Sequence, residues 1–148
     1  MRLLIQRVLS ASVRLPGGER RSIGPGLAVL VGIGSSDDEA ASERLAEKAA
    51  NLRIFSNEEG KFDRSLLDVR GEALVVSQFT LFGDCARGRR PDFTSAAPPA
   101  KAEPLYRAFA QALARRGVPV QTGEFGAAMQ VELVNDGPVT IWIDSERL

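Results

Sequence analysis

The chain has 148 residues, 19 Lys+Arg against 19 Asp+Glu, one cysteine and no histidine. This length reads as one domain, residues 1–148, able to bury a core without staples, and a lone cysteine allows no internal disulfide and fits a reducing, cytoplasmic setting. The missing histidine removes Ser-His-Asp and Cys-His catalysis, His-containing zinc sites and imidazole as a base near neutral pH.

In chain order, residues 2–15 read as a strand, possibly bulged, pinned by Leu3, Ile5, Val8, Val13 and Leu15. Met1–Ile5 is interrupted by Gln6 and Arg7 too soon for a secretion signal, and no apolar run approaches the ~20 residues of a membrane span. Pro16-Gly17-Gly18 turns the chain into a short strand ending at Ile23, and Gly24-Pro25-Gly26 turns it again. Leu27 to Ile33 is continuously apolar and predicts a buried central strand. Ser36 with Glu39 gives a capping-box pattern, so a helix follows, with Leu45, Ala49 and Leu52 as its apolar stripe. Residues 61–70 read as irregular, with Phe62, Leu66 and Leu67 tucked against the core.

A strand is predicted over about 73–82, followed by a polar loop from Gly83 to Pro98. A second helix starts near Pro98-Pro99, carries Leu105, Phe109, Ala112 and Leu113 on one face, and ends at Arg115-Arg116-Gly117. Val118–Val120 reads as a short strand. Val131–Val134 and Val139–Ile143 read as two strands joined by a turn at Asn135–Pro138.

Two segments carry polar residues where a core strand should not. Ser77, Gln78 and Thr80 interrupt Val75–Phe82, and a buried hydroxyl or amide costs a few kcal/mol unless hydrogen-bonded. Alternation would put Ser77 and Phe79 on one face, Gln78 and Thr80 on the other. The simplest reading is a core strand whose polar groups bond to backbone; the other is a strand end that lines a pocket. Thr80 and Ser77 are the obvious nucleophiles, but no histidine can deprotonate them. Gly137-Pro138 is most simply a hairpin turn. The alternative is a cis peptide whose rigid backbone forms a wall that excludes a side chain of one hand.

Arg87, Arg89 and Arg90 form a basic loop that is either solvated or a phosphate clamp. Arg7 sits in an apolar strand and either snorkels or orients a site. Cys85 reads as a bystander thiol, and Phe125 and Met129 as packing residues. Asp136 and Asp144 have no spacing that favours an acid/base pair.

Taken together, Ser77-Gln78-Phe79-Thr80 and Asn135-Asp136-Gly137-Pro138-Val139-Thr140 resemble the two hallmark motifs of the D-aminoacyl-tRNA (D-tyrosyl-tRNA) deacylase family. The resemblance extends to Ile5–Val8, Ile23–Leu27, Asn51–Phe55, Gly88–Pro91 and Phe125-Gly126 with Met129. It implies a mixed α/β, α+β-like fold with a barrel-like β-sheet core and two main helices, working as a homodimer. It implies a carboxylic ester hydrolase for translation quality control: a proofreading enzyme that binds aminoacyl-tRNA at its 3′ terminal adenosine. D-amino acids, and glycine mischarged on tRNA-Ala, would be released and L-aminoacyl-tRNA spared, with no metal or other cofactor.

By position, the resemblance makes Ser77, Gln78, Phe79 and Thr80 the catalytic segment. Gly137, Pro138, Val139 and Thr140 become a chirality filter reaching into the partner subunit, with Arg7 fixing the turn. Phe125 and Met129 join the substrate pocket, and Arg87, Arg89 and Arg90 meet tRNA. Asp92 departs from the family pattern of a small hydroxyl residue after Pro91. Two alternatives stay open: a sister editing deacylase for a small L-amino acid, with a trans Gly-Pro bond, and a non-catalytic tRNA-binding module.

Overall fold

The computed structural model describes all residues, 1–148. The strands are β1 (Arg2–Arg14), β2 (Arg20–Ile23), β3 (Gly26–Gly32), β4 (Phe55–Ser56), β5 (Phe62–Arg64), β6 (Glu72–Ser77), β7 (Val120–Thr122) and β8 (Gln130–Asp144). Two helices, α1 (Glu39–Asn51) and α2 (Pro99–Arg115), lie between them. Both serve as crossovers, because β3 pairs parallel with β6 and β6 with β7, and parallel neighbours need a long connection.

β1 is the spine of the sheet. Along one edge it pairs antiparallel with β2 and β3, which keep one register: Ala11 faces Ile23 and Val8 faces Gly26. The chain therefore pauses at Gly24-Pro25 without slipping. β8 runs along the other edge of β1. β2 leans toward β6 and β7, and the six-stranded sheet curls into a barrel-like core.

β3 and β6 are covered on both faces, which is why they read as unbroken apolar runs. Leu27, Val29, Ala73 and Val75 face the helices and pack with Leu45, Ala49, Phe109 and Leu113. Ala28, Leu74 and Val76 face the barrel interior with Val8 and Val13.

Several sequence expectations are corrected. The helix cap is Asp38, whose carboxylate accepts from Ala41 N–H at 2.8 Å, and not Ser36. Phe62 stands exposed on β5, outside the core, whereas Leu66 is buried. The seventh strand begins at Val120, two residues later than expected. Residues 131–143 are not a hairpin: they lie in one strand, β8, both halves of which pair with β1. The predicted strand over 73–82 stops at Ser77, and Phe79–Phe82 wind into a 3₁₀ turn.

Candidate active site

A cavity of about 620 Å³ opens where β6 ends. Val76, Ser77, Gln78 and Phe79 form one wall, Phe125 and Met129 another, and Ala97, Pro99 and Ala102 from the start of α2 a third. Mostly apolar walls with a few polar groups are the make-up of a small-molecule site. Phe79 is exposed and meets Phe93 edge-to-face at 5.1 Å. Gln78 Nε2 donates to the Thr80 hydroxyl, so both polar side chains are turned onto each other. No side chain caps the N–H groups of Phe79 and Thr80. They open a 3₁₀ turn, where the first N–H groups have no partner within the turn.

The cavity wall is braced from below. Tyr106 on α2 donates its hydroxyl to the Val75 carbonyl at 2.8 Å, and its ring lies 6.0 Å from that of Phe125. Burial pushes the Tyr106 phenol up to about 12, only partly offset by the charges of Arg107 and Arg21. Glu124 N–H points at Met129 Sδ, 3.2 Å away. A shallower groove of about 650 Å³ over the end of α1 is lined by Arg44, Glu47 and Lys48 and carries neither motif.

The second motif forms a bulge. Gln6 faces Thr140 and Val8 faces Asn135, so four residues, 136–139, stand opposite Arg7 alone. The surplus is thrown out from the sheet, as bulges are. Its base is tied by Asn135, whose side-chain oxygen accepts from Val139 N–H at 2.9 Å and whose amide donates to Thr140 Oγ1 at 3.1 Å. Gln6 also donates to Thr140 Oγ1, at 3.2 Å. Arg7, buried, donates to the carbonyls of Asp136 at 3.1 Å and Ile54 at 2.7 Å. At the tip the Gly137–Pro138 peptide is cis and both residues are exposed, while Val139 is buried. Asp136 pairs with Arg7 and Asp144 with Arg2, so the two carboxylates do not pair with each other.

Arg87, Arg89 and Arg90 sit in an exposed loop pinched at its neck by Asp84 and Asp92, which exchange backbone hydrogen bonds of 2.7 and 2.9 Å. The Asp92 carboxylate accepts from Thr94 N–H at 2.7 Å, a local turn on its own side of the neck.

Of the residues singled out in the sequence, Ser77, Gln78, Phe79, Phe125 and Met129 are brought together at the cavity. Thr80 lies in the adjoining turn. Arg7, Gly137, Pro138, Val139 and Thr140 cluster at the bulge and do not line the cavity of their own chain. Sequence reasoning missed Phe93, Ala97, Pro99 and Ala102; the alanines carry no chemical signal, but the helix start beside the polar loop hinted at a mouth there. No three His, Cys, Asp or Glu side chains converge in the chain in a way that could hold a metal ion.

The family model described as D-Tyr-tRNA(Tyr) deacylase matches residues 4–144. The D-aminoacyl-tRNA deacylase of Roseiflexus castenholzii is 61% identical over 145 residues, covering 98% of this chain and 92% of that protein. That of Thermomicrobium roseum is 60% identical over 148 residues, covering 100% and 96%. Among solved structures, one named c-Myc DNA Unwinding Element Binding Protein superposes with a TM-score of 0.89 at 42% identity, covering 97% of this chain and 98% of that one.

Proposed function

The chain belongs to the D-Tyr-tRNA deacylase family, and from that premise we propose that it hydrolyses the ester of D-aminoacyl-tRNA. The family match over residues 4–144 carries this reading. Two features support it: the cavity that the first motif borders and the rigid bulge that the second motif forms.

In this reading the terminal adenosine enters the cavity between Phe79, Phe125 and Met129. The ester carbonyl then lies over the 3₁₀ turn. Water adds to the carbonyl carbon, the oxyanion is held by the uncapped N–H groups of Phe79 and Thr80, and the bond to the ribose oxygen breaks. The ribose oxygen takes up a proton, leaving free amino acid and tRNA. Donors fixed before the reaction stabilise developing charge without reorganising. An aminoacyl ester is already activated, so positioning and an amide-lined oxyanion site serve, with the vicinal ribose hydroxyl assisting the attack.

Enantiomer choice falls to the bulge. Gly137 and Pro138 are exposed and lie away from the cavity of their own chain. A second copy would bring them over it, making the working unit a homodimer. Leu9, Val134 and Trp142 are exposed on β1 and β8, and the outer edge of β8 is unpaired, a surface that a second copy would cover. The carbonyls of the bulge hold the substrate's α-amino group, so the bulge is needed for productive binding, and its backbone wall at the ester's α-carbon admits hydrogen on one side and rejects a side chain there. L-aminoacyl-tRNA is thus spared, while glycyl-tRNA, lacking a side chain, passes. Arg87, Arg89 and Arg90 grip phosphates of the tRNA. The reaction belongs to translation quality control in the cytoplasm.

The test is hydrolysis of D-Tyr-, Gly- and L-Tyr-tRNA side by side. Release from the first two with the third left intact supports the reading. Binding of all three without cleavage, or cleavage of L-Tyr-tRNA at the same rate, overturns it.

A further inference from the structure

Arg2 lies outside both motifs, yet it touches the segment that carries Phe79 and Thr80. Its Nη1 donates to the Leu81 carbonyl at 3.0 Å and its Nε to Asp144 Oδ2 at 3.1 Å. The guanidinium carbon lies 4.3 Å from the centre of the Phe82 ring and 5.7 Å from that of Trp142. One side chain thereby joins the far end of the 3₁₀ turn to the last residues of β8.

Beneath the turn there is no clearance. A Cβ on Gly32 would lie 3.0 Å from both the Gln78 carbonyl and Leu81 Cβ, and one on Gly34 would lie 2.8 Å from the Phe82 ring. The turn is thus pressed onto the end of β3 on one side and gripped by Arg2 at its far end. Within this four-residue turn few backbone bonds fix its tilt. The planar fork suits the task, since it reaches a carbonyl and a carboxylate at once while lying on a ring. Burial acts to raise the Asp144 carboxyl, but the Glu146 N–H and the Arg2 guanidinium outweigh it and hold it below the usual carboxylate range.

We infer that Arg2 is a positioning residue: it sets the tilt of the Phe79–Phe82 turn, and with it the placement of the Phe79 ring and of the Phe79 and Thr80 amides. This rests on the deacylase reading above. Lysine would reach one acceptor but neither fork nor stack.

The experiment compares wild type with Arg2→Ala and Arg2→Lys. Single-turnover hydrolysis of D-Tyr-tRNA is measured over a range of enzyme concentrations, with thermal melting alongside. Emission of Trp142, the sole tryptophan, compared between samples that gel filtration shows to be in the same oligomeric state, reports the clamp independently of activity. The maximal rate should fall at least ~10-fold in both variants with half-saturation changed less than ~2-fold, the signature of an interaction that serves the reacting geometry. Added guanidinium ion should restore part of the Arg2→Ala rate and none of the Arg2→Lys rate, and Trp142 emission should shift in both. A folded Arg2→Ala protein with the wild-type rate, or a loss confined to half-saturation, overturns the inference. Where Arg2→Ala does not fold, Arg2→Lys decides by the same readouts. If wild type itself leaves D-Tyr-tRNA intact, the deacylase reading fails; unchanged Trp142 emission in the variants then removes the clamp as well, and shifted emission keeps it.

Discussion

Arg7 and Asp136 meet across the β1–β8 seam through two contacts: Arg7 Nε lies 3.1 Å from the Asp136 carbonyl and 3.0 Å from its carboxylate. The same guanidinium holds the Ile54 carbonyl at 2.7 Å. Arg7 is the one β1 residue opposite four residues of β8, so it replaces the ladder bonds that the bulge interrupts. Its role is to give the exposed tip a fixed base.

Arg7→Ala therefore removes a buried donor from two carbonyls. An unsatisfied buried acceptor costs about 1–3 kcal/mol, so the unfolding free energy should drop by an amount of that order, with a lower denaturation midpoint. Discrimination between D- and L-aminoacyl-tRNA should fall further than stability does. Arg7→Lys, which cannot fork, should recover stability before it recovers discrimination. Urea unfolding and the two hydrolysis rates, measured on one preparation, check this.

Gly137→Ala should disable the filter while leaving the sheet folded. Gly137 has a φ of +133°, where side chains are rarely tolerated, and an added Cβ would fall 2.7 Å from Val139 Cγ2 and 2.9 Å from Val139 N. Such a backbone conformation costs on the order of 1–3 kcal/mol for a non-glycine residue. The bulge should relieve this by moving, since its tip is exposed. Circular dichroism should stay native-like, with hydrolysis of D-Tyr-tRNA strongly reduced.

Much of the fold was legible because it rests on periodicity. β1, β3, both helices and the proline-led start of α2 follow from apolar spacing and turn residues. Two elements were misread for the same reason: a local rule was overruled by tertiary context. Asn135–Pro138 has the composition of a hairpin turn, but β1 offers an edge to both flanks, Asn135 pairs with Val8 and residues 136–139 become a bulge. Val75–Phe82 looks like one long strand, but the turn at Phe79 packs onto Gly32 and Gly34, a fit no sequence window shows. The candidate site was legible as motifs and not as a place. That Phe125 and Met129 join Ser77–Phe79 depends on how β6 meets the loop before β8, and the alanines of α2 lining the same cavity carry no chemical mark.

Thr80→Ala discriminates between hydroxyl and backbone catalysis. The Thr80 hydroxyl is exposed and accepts from Gln78 Nε2, and no histidine exists to activate it. Loss of a merely positioning hydroxyl should cost less than about tenfold in rate, or ~1.4 kcal/mol of barrier. A loss of several thousandfold would restore Thr80 as nucleophile. Single-turnover rates at saturating enzyme separate the two.

Tyr106 is the sole tyrosine, so its ionisation can be followed by absorbance. Its pKa is raised to about 12, chiefly by burial, against about 10 in an unfolded chain. The folded state thus keeps the proton longer. The associated stability is full below pH ~10 and is lost as pH rises toward ~12, because there the folded form binds more protons than the unfolded. Tyr106→Phe should abolish this alkaline slope. A phenol that titrates near 10 in the folded protein would contradict the burial of Tyr106 beneath the cavity wall.

If a working site takes the cavity from one copy and the Gly137–Pro138 bulge from another, mixing two inactive variants should rebuild it. Phe79→Ala should spoil the cavity and Gly137→Ala the bulge, each leaving little hydrolysis of D-Tyr-tRNA. Unfolded together and refolded as a mixture, random pairing makes half the dimers mixed with one intact site each, so activity should return to ~25% of wild type. A mixture no more active than the two variants measured separately would rule out a site shared between two copies.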